Sequence, residues 1–464
     1  MDTPILKQMW QDHYQIANTQ LSKIKKVKGI ATGFNANIDA IYKMSAGALS
    51  ELIKEYHLSL NDLQQIEHCR ILSETDFIKG VFKSFTLGAA EEWICEDEKI
   101  YKWLQEKIGY DYLQIGGQGG IMANVLAAIG VQKVFAHANS LPKLQAEQFA
   151  KLDNLLSFDE NGQIKPAYQI NRKNDLPLIH WIIEFKRGDI IEIEGKKFKC
   201  PKANRFIATY DPLNLKLIVD ENFMQNVKAQ PLDFVILSGF HAVLAKNGGE
   251  QLIENIAKRI KEWKESTPNS IFHIEVASTQ DILIRKAIVN NLIGLADSIG
   301  INDRETIDLL EALDEKVLWR RCKEQTTAEN LLKSLCKIKE RTGVKRIQLH
   351  MFGLYITLQD KDFILPPKNN LKGMIAASVV AAAKAKNGSI DKKSIQAIPH
   401  DISDVGLIEL ESLSLALGQP ELATTGLGRC RSWDLIAVPT ILIENPLTLV
   451  GMGDTISSIS LVAS

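Results

Sequence analysis

Six short runs of β-branched, aliphatic and aromatic residues, GIATGF, KVFAHA, DFVILSGF, IFHIEVAS, RIQLHMFGLYITL and LIAVPTILI, are strung along a chain of 464 residues. A run that is apolar at nearly every position has no face to give to water, so a strand made from it must be covered on both sides. Between the runs lie stretches with helical character, among them GGIMANVLAAIG and NGGEQLIENIAKRIKEWKES. Alternating strands and helices meet the demand for cover by forming a mostly parallel sheet between two helix layers. The expected fold is therefore α/β. Two regions depart from the pattern. Residues 44–114 are helix-rich and more polar, and residues 164–210 read as hairpins, with IIEFKRGDIIEIEGKKFKC turning at its Glu-Gly pair. Both read as excursions that build a smaller domain over one face of the core.

Charge narrows the function. Lys and Arg total 55 against 56 Asp and Glu, so no global field draws the chain to nucleic acid or to an anionic membrane. A small, locally charged ligand is the better partner. The six cysteines are scattered without C-x-x-C or Cys/His spacing, which fits free thiols in a reducing compartment and argues against structural zinc. The N-terminal MDTPILKQMW lacks a basic segment followed by an apolar one, and no apolar run reaches the roughly 18 residues of a membrane span. A cytoplasmic protein, monomeric or a small homo-oligomer, is expected.

In open α/β sheets ligands bind outside the carboxyl ends of the strands, so residues just after each strand carry the functional question. TGFNANIDA sets Asn35, Asn37 and Asp39 at alternate positions, which on a strand share one face and offer the donors and acceptors that read sugar hydroxyls. IGGQGGIMANVLAAIG opens a helix with Gly116, Gly117 and Gly119 around Gln118. Its spacing fits no dinucleotide or Walker motif, leaving either close backbone approach to a neutral substrate or a structural helix start. HIEVAS and GINDRE bring Glu275, with His273, and Glu305, with Asn302, to two successive strand ends, a pair of hard oxygen ligands suited to Mg²⁺. Arg205, in ANRFIATY, is a cation inside the second excursion and suits a phosphate if that excursion closes over the core. VGMGDTISS reads two ways: a turn in which Asp454 caps a helix, or an anion site of glycine amides with Asp454 as a base.

Taken in order, FNANIDA, GGQGG, HWIIEFKRG, NRFI, HIEVAS, DSIGINDRE, VPTILIENP and VGMGDTIS resemble the ADP-dependent glucokinase and phosphofructokinase family of ribokinase-like kinases, from about Thr32 onward. The resemblance implies a ribokinase-like three-layer α/β/α core, over residues 1–44, 115–163 and 211–464, with a smaller, discontinuous α+β lid domain over 45–114 and 164–210. It implies ADP as phosphoryl donor and Mg²⁺ as cofactor. Asp454 would be the base toward the sugar's 6-hydroxyl, the amides from Gly451 through Met452 and Gly453 the anion hole, and Arg205 the contact to the ADP phosphates. Glu275 and Glu305 would hold the metal, mainly through water. Asn37, Asp39, Gly117 and Gln118 would hold the sugar. His350, Phe352, Tyr355, Ile443 and Val450 would line the adenine site.

The resemblance also bears on which sugar. Its phosphofructokinase branch neutralises the 6-phosphate of fructose 6-phosphate with a lysine and an arginine whose aligned positions here are Leu178 and Asp211. A doubly charged phosphate would meet an apolar side chain and an acid, whereas glucose meets no such penalty. His180 matches the glucokinase branch, and Glu92, or with a one-residue slip Glu91, stands where glucokinases carry a glutamate. The expected activity is ADP-dependent glucose phosphorylation giving glucose 6-phosphate and AMP. The alternatives are a fructose 6-phosphate or dual-substrate kinase with cations from Lys186 or Arg187, and a non-catalytic binding homologue. Departures from the family are Ile441 where its PTR motif has arginine, HMFG in place of an adenine-side HT-aromatic pattern, and little chain after SISLVAS.

Overall fold

The computed structural model describes residues 3–95, 97–448 and 450–464. Eleven strands form the larger sheet, in the order Leu427–Cys430, Trp433–Pro439, Leu354–Gln359, Arg346–Met351, Ser298–Ile301, Ile271–Glu275, Phe234–Leu237, Ile30–Gly33, Val134–Ala136, Leu155–Phe158 and Ile164–Pro166. The run from Arg346–Met351 to Leu155–Phe158 is parallel throughout, and the strands outside it are antiparallel. Gln118–Ala128, Pro367–Asn387 and Met452–Val462 pack on one face, while Asp303–Ala312 and Ala328–Thr342 pack on the other. This is the three-layer α/β/α arrangement, with one continuous apolar core between the layers. Among the described residues no helix is long and apolar enough to cross a membrane.

A second sheet has six strands, ordered Arg70–Ile71, Glu91–Cys95, Asn204–Tyr210, Ile179–Phe185, Asn37–Lys43 and Tyr112–Gly116. It has its own core, in which Ile38, Trp93, Trp181, Ile183 and Phe206 pack with Phe77, Val81 and Phe85 of the helix Glu74–Leu87. Gly80 in that helix is required by contact, since a Cβ there would lie 2.5 Å from the Phe206 ring. Beside the sheet, Ile190–Ile193 and Lys196–Lys199 form the hairpin, and Glu194 and Gly195 both take positive φ at its turn, as a two-residue type I′ connection demands.

Four sequence expectations need adjustment. Asn37–Lys43, expected inside the larger domain, pairs with Ile179–Phe185 and Tyr112–Gly116 in the smaller sheet. The reason is its alternation: Ile38 and Ala40 join the smaller core while Asn37 and Asp39 take the other face. Conversely, Ile164–Pro166 pairs at the edge of the larger sheet. RIQLHMFGLYITL is two strands, because Gly353 at φ +84° reverses the chain, and LIAVPTILI is a strand only to Pro439, beyond which Ile441 makes an isolated bridge to Ile402. The chain therefore passes between the two sheets four times, after Gly33, Gly116, Pro166 and Tyr210.

Candidate functional site

The residues expected to read a substrate gather on the face of the smaller sheet turned away from its apolar core. Strand register sets Asp39 beside His180 and His180 beside Thr209, one row across three strands. The Thr209 hydroxyl donates to Glu92 Oε1 at 2.7 Å. Glu91 points elsewhere, pairing with Lys83 at 3.0 Å and accepting from Trp93 Nε1, so Glu92 is the acid on this face. Asn37 Nδ2 donates to Asp39 Oδ1 at 3.1 Å. His180 Nε2 lies 3.2 Å from Asp211 Oδ2, and Asn214 donates to both oxygens of that carboxylate. Burial opposes charge on His180, but the Asp211 hydrogen bond and charge outweigh it and hold its pKa above the ordinary value. Asp39 is pushed up by burial, an effect opposed by His180. Arg205 stands on the same strand face four residues before Thr209, and among the described residues no carboxylate lies within ion-pair distance of its guanidinium.

The GGQGG glycines prove to be spacers as well as a helix start. A Cβ on Gly116 would lie 2.1 Å from Asp39 Oδ1, and one on Gly117, at φ +72°, would lie 2.6 Å from Asn37 Oδ1. Only glycine lets this turn close on the polar strand. Asn35 accepts from the Gly119 amide and from Ser238 Oγ, both at 3.1 Å, so it braces the turn. Among the described residues the buried Asn37 Oδ1 and Gln118 Oε1 have no partner. Buried polar atoms left unpaired are costly, so the two oxygens are candidate acceptors for a ligand's hydroxyls.

Opposite this face, VGMGD begins the helix Met452–Val462. The cap is Gly451, at φ +63°, and Asp454 lies within the first turn, so the expected Asp cap is not formed. Amides of a first helical turn have no partner inside the helix, and their dipoles add up to favour an anion there. Burial raises the Asp454 pKa, opposed by the charge of Lys384 and a hydrogen bond from Gln118. The helix that follows is buried along its length and packs against Pro367–Asn387.

Glu275 and Glu305 stand behind this turn. Glu275 ends its strand 3.4 Å from His273 Nε2 and 3.6 Å from His350 Nε2. Gly300, on the next strand, leaves its space, since a Cβ there would sit 1.9 Å from Glu275 Oε2. Glu305 belongs to a capping box, accepting from the Asn302 amide at 2.8 Å. Burial, then the charge of Asp454, raises Glu275 well above the usual carboxylate range, and burial raises Glu305 to about 8. From below, His273 bonds Ser298 and Ser457, and the fully buried Arg346 donates to Ser298, Asn370 and Gln348.

The residues expected at the adenine differ widely in exposure. His350 packs under the turn, where a Cβ on Gly453 would lie 2.8 Å from its Nε2, and burial lowers its pKa to about 4. Tyr355, its cross-strand partner, is 5% exposed and near Tyr14. Phe352 is 70% exposed at the hairpin tip. Ile443 and Val450 border the loop into the turn and are half-buried. The sequence did not single out Thr209, Asn214 or Lys384. Alternation from Arg205 through Ile207 to Thr209 signals the first once the strand is placed. Lys384 lies among alanines near the end of Pro367–Asn387, small residues that let helices approach and bury a long side chain.

Comparison with known proteins gives a consistent result. The model of the ADP-specific phosphofructokinase/glucokinase conserved region matches residues 28–463. An ADP-specific phosphofructokinase of Methanosarcina acetivorans is 29% identical, covering 98% of this chain and 96% of its own. An ADP-dependent glucose/glucosamine kinase of Pyrococcus furiosus is 28% identical, covering 97% of each. Among solved structures, an ADP-dependent kinase in complex with fructose-6-phosphate and ADPβS superposes with a TM-score of 0.81 at 29% identity, over 98% of this chain and 97% of that one.

Proposed function

From the premise that this chain belongs to the ADP-specific phosphofructokinase/glucokinase family, and so is an ADP-dependent sugar kinase, we propose that its acceptor is glucose, phosphorylated on the 6-hydroxyl. The observation that supports this reading is that the two positions aligned with the phosphate-binding lysine and arginine of the phosphofructokinase branch hold no cation. Leu178 is buried and apolar, and Asp211 is an acid fixed by Asn214 and His180. Lys186 and Arg187 are exposed beyond the far end of the His180 strand, roughly 20 Å from His180 at about 3.3 Å per residue. Glu92, Asp39, Asn37 and His180 provide acceptors and donors for neutral hydroxyls.

In this reading Asp454 accepts the proton of the sugar's 6-hydroxyl as that oxygen attacks the β-phosphorus of ADP. The bond from the β-phosphorus to the bridging oxygen breaks, and AMP leaves with the electron pair. The amides of the 451–454 turn stabilise charge on the phosphoryl oxygens, and Arg205 crosses from the smaller sheet to the donor phosphates. Two buried acids facing Asp454 need a cation to remain ionised together, which fits Mg²⁺. Among the described residues no three His, Cys, Asp or Glu side chains converge on one point, so Glu275 and Glu305 would hold the ion with water completing its shell. Held there, Mg²⁺ would supply positive charge against the donor phosphates. The smaller sheet then acts as a lid that excludes water from the donor.

One observation favours fructose 6-phosphate instead: Arg205 and His180, whose pKa is held above its ordinary value by Asp211, stand on the polar face where an anion would be met. Rates on glucose and fructose 6-phosphate, each with ADP and Mg²⁺ and read as AMP released, separate the two. Faster turnover of glucose is expected, and a preference for fructose 6-phosphate would overturn it.

A further inference from the structure

We propose that Lys384 is a positioning residue of the phosphoryl-transfer turn, its ammonium fixing the direction of the turn's amides and serving as counter-charge to Asp454. This rests on the kinase reading above. Lys384 comes from the helix Pro367–Asn387 and reaches across to the start of Met452–Val462, where its Nζ donates to the Gly451 carbonyl and the Thr455 hydroxyl, each at 3.1 Å. The Thr455 hydroxyl donates to the same carbonyl at 2.7 Å, and the Thr455 amide at 3.1 Å. Three donors therefore converge on one carbonyl oxygen.

A planar trans peptide carries its N–H opposite its C=O. Pinning the Gly451 carbonyl toward Lys384 therefore points the Met452 amide the other way, out of the helix start, where the donor phosphate is expected. Gly451 makes the approach possible: its positive φ needs glycine, and a Cβ there would lie 3.0 Å from Lys384 Nζ and 2.7 Å from Ile121. The carboxylates that act on the ammonium are Asp454, from the turn's own helix, and Asp39, from the smaller sheet. Lys384 thus stands between the proposed base and the sugar face, tied directly to neither. On its other side it lines a cavity of about 360 Å³ with Ile121, Glu147, Ile390 and Val450. Burial lowers its pKa to about 8 against the pull of both carboxylates, so the ammonium is lost on modest alkalinisation.

The test compares wild type, Lys384→Met and Lys384→Arg across pH 6–10, following AMP release from ADP with glucose and with fructose 6-phosphate. Hydrogen bonds from a charged donor are worth about 1.5–3 kcal/mol, so kcat of Lys384→Met should fall roughly 10- to 150-fold, with KM for the sugar within about threefold because the sugar contacts are intact. Wild-type kcat should decline above about pH 8. That decline should vanish in Lys384→Met and move beyond pH 10 in Lys384→Arg, whose guanidinium stays protonated. A merely structural lysine would lower the melting temperature and leave the pH profile unchanged. Lys384→Met at wild-type kcat, or an unshifted alkaline decline in Lys384→Arg, overturns the assignment, and the arginine variant decides alone if the methionine variant does not fold. Wild type that releases no AMP with either acceptor overturns the kinase reading, and this assignment with it; the two failures are thus distinct.

Discussion

The two sheets carry their chemistry in different places. In the larger sheet both faces of the parallel strands are sealed by helices, so functional side chains are confined to strand ends: Asn35 after Gly33, Glu275 at the end of its strand, Asn302 and Glu305 after Ile301. In the smaller sheet one face holds the apolar core and the other carries polar side chains, so Asp39, His180 and Thr209 stand in mid-strand, in register across three strands. Strand ends suit charge and metal chemistry, since loops there can supply free amides and carboxylates. A strand face suits recognition of a flat, many-hydroxyl ligand, since neighbouring side chains repeat about every 5 Å in a fixed plane. The larger sheet is thus expected to govern kcat and the smaller sheet KM.

Asp454→Ala tests the strand-end half most severely. Loss of a general base should lower kcat by about 10²- to 10⁴-fold, while glucose binding by calorimetry stays near wild type; unchanged turnover would remove Asp454 from the mechanism. Arg205→Ala tests whether the smaller sheet also serves the donor. Losing a charge-assisted contact of about 1.5–3 kcal/mol should reduce kcat/KM for ADP roughly 10- to 150-fold with KM for glucose unaffected, and an effect on glucose alone would make Arg205 a sugar residue. His180→Asn should raise KM for glucose about tenfold through a lost hydrogen bond. His180 has its pKa raised in the folded protein, so its charge and the stability from Asp211 are fully present below the unfolded value near 6.5 and vanish as pH rises through the folded value. KM should therefore rise as pH passes through that folded value in wild type and stay flat in His180→Asn. Thr209→Val, which removes only the hydroxyl orienting Glu92, should raise KM for glucose about fivefold, the worth of roughly 1 kcal/mol. A larger change in kcat than in KM would blur the division between the sheets.

Much of the larger sheet was legible because its strands are continuous apolar runs, which only a doubly covered sheet can use. The smaller sheet was less so. Asn37–Lys43 reads as a continuation of the core strand before it, and nothing local shows that NANIDA crosses to another sheet, since its partners lie at residues 112–116 and 179–185. Site residues in turns, Gly451 through Asp454 and Gly116 through Gln118, were visible because glycine next to a polar side chain marks unusual backbone. Of the two readings the sequence leaves open for Asp454, the capping one is not formed, because αL Gly451 caps the helix without a side chain. Lys384 was invisible because its importance is a matter of what packs against its helix. Tyr355 was assigned to the adenine by resemblance alone, and its burial near Tyr14 depends on the N-terminal helix Thr3–Tyr14.

The four passages of the chain between the sheets have a consequence for how the molecule is made. Asp39 pairs with His180, so joining the central strands of the smaller sheet closes a loop of about 140 residues, most of which belongs to neither strand. Loop closure grows costlier with length, and folding slows as contacting residues lie farther apart in sequence. Neither sheet is a contiguous stretch that can be excised and expected to fold, and neither can be completed before the other has donated its strands. Assembly of the two cores should therefore appear in refolding as a single slow cooperative event, with urea transitions followed by Trp93 and Trp181 in one core and Trp10 and Trp263 in the other falling on the same curve.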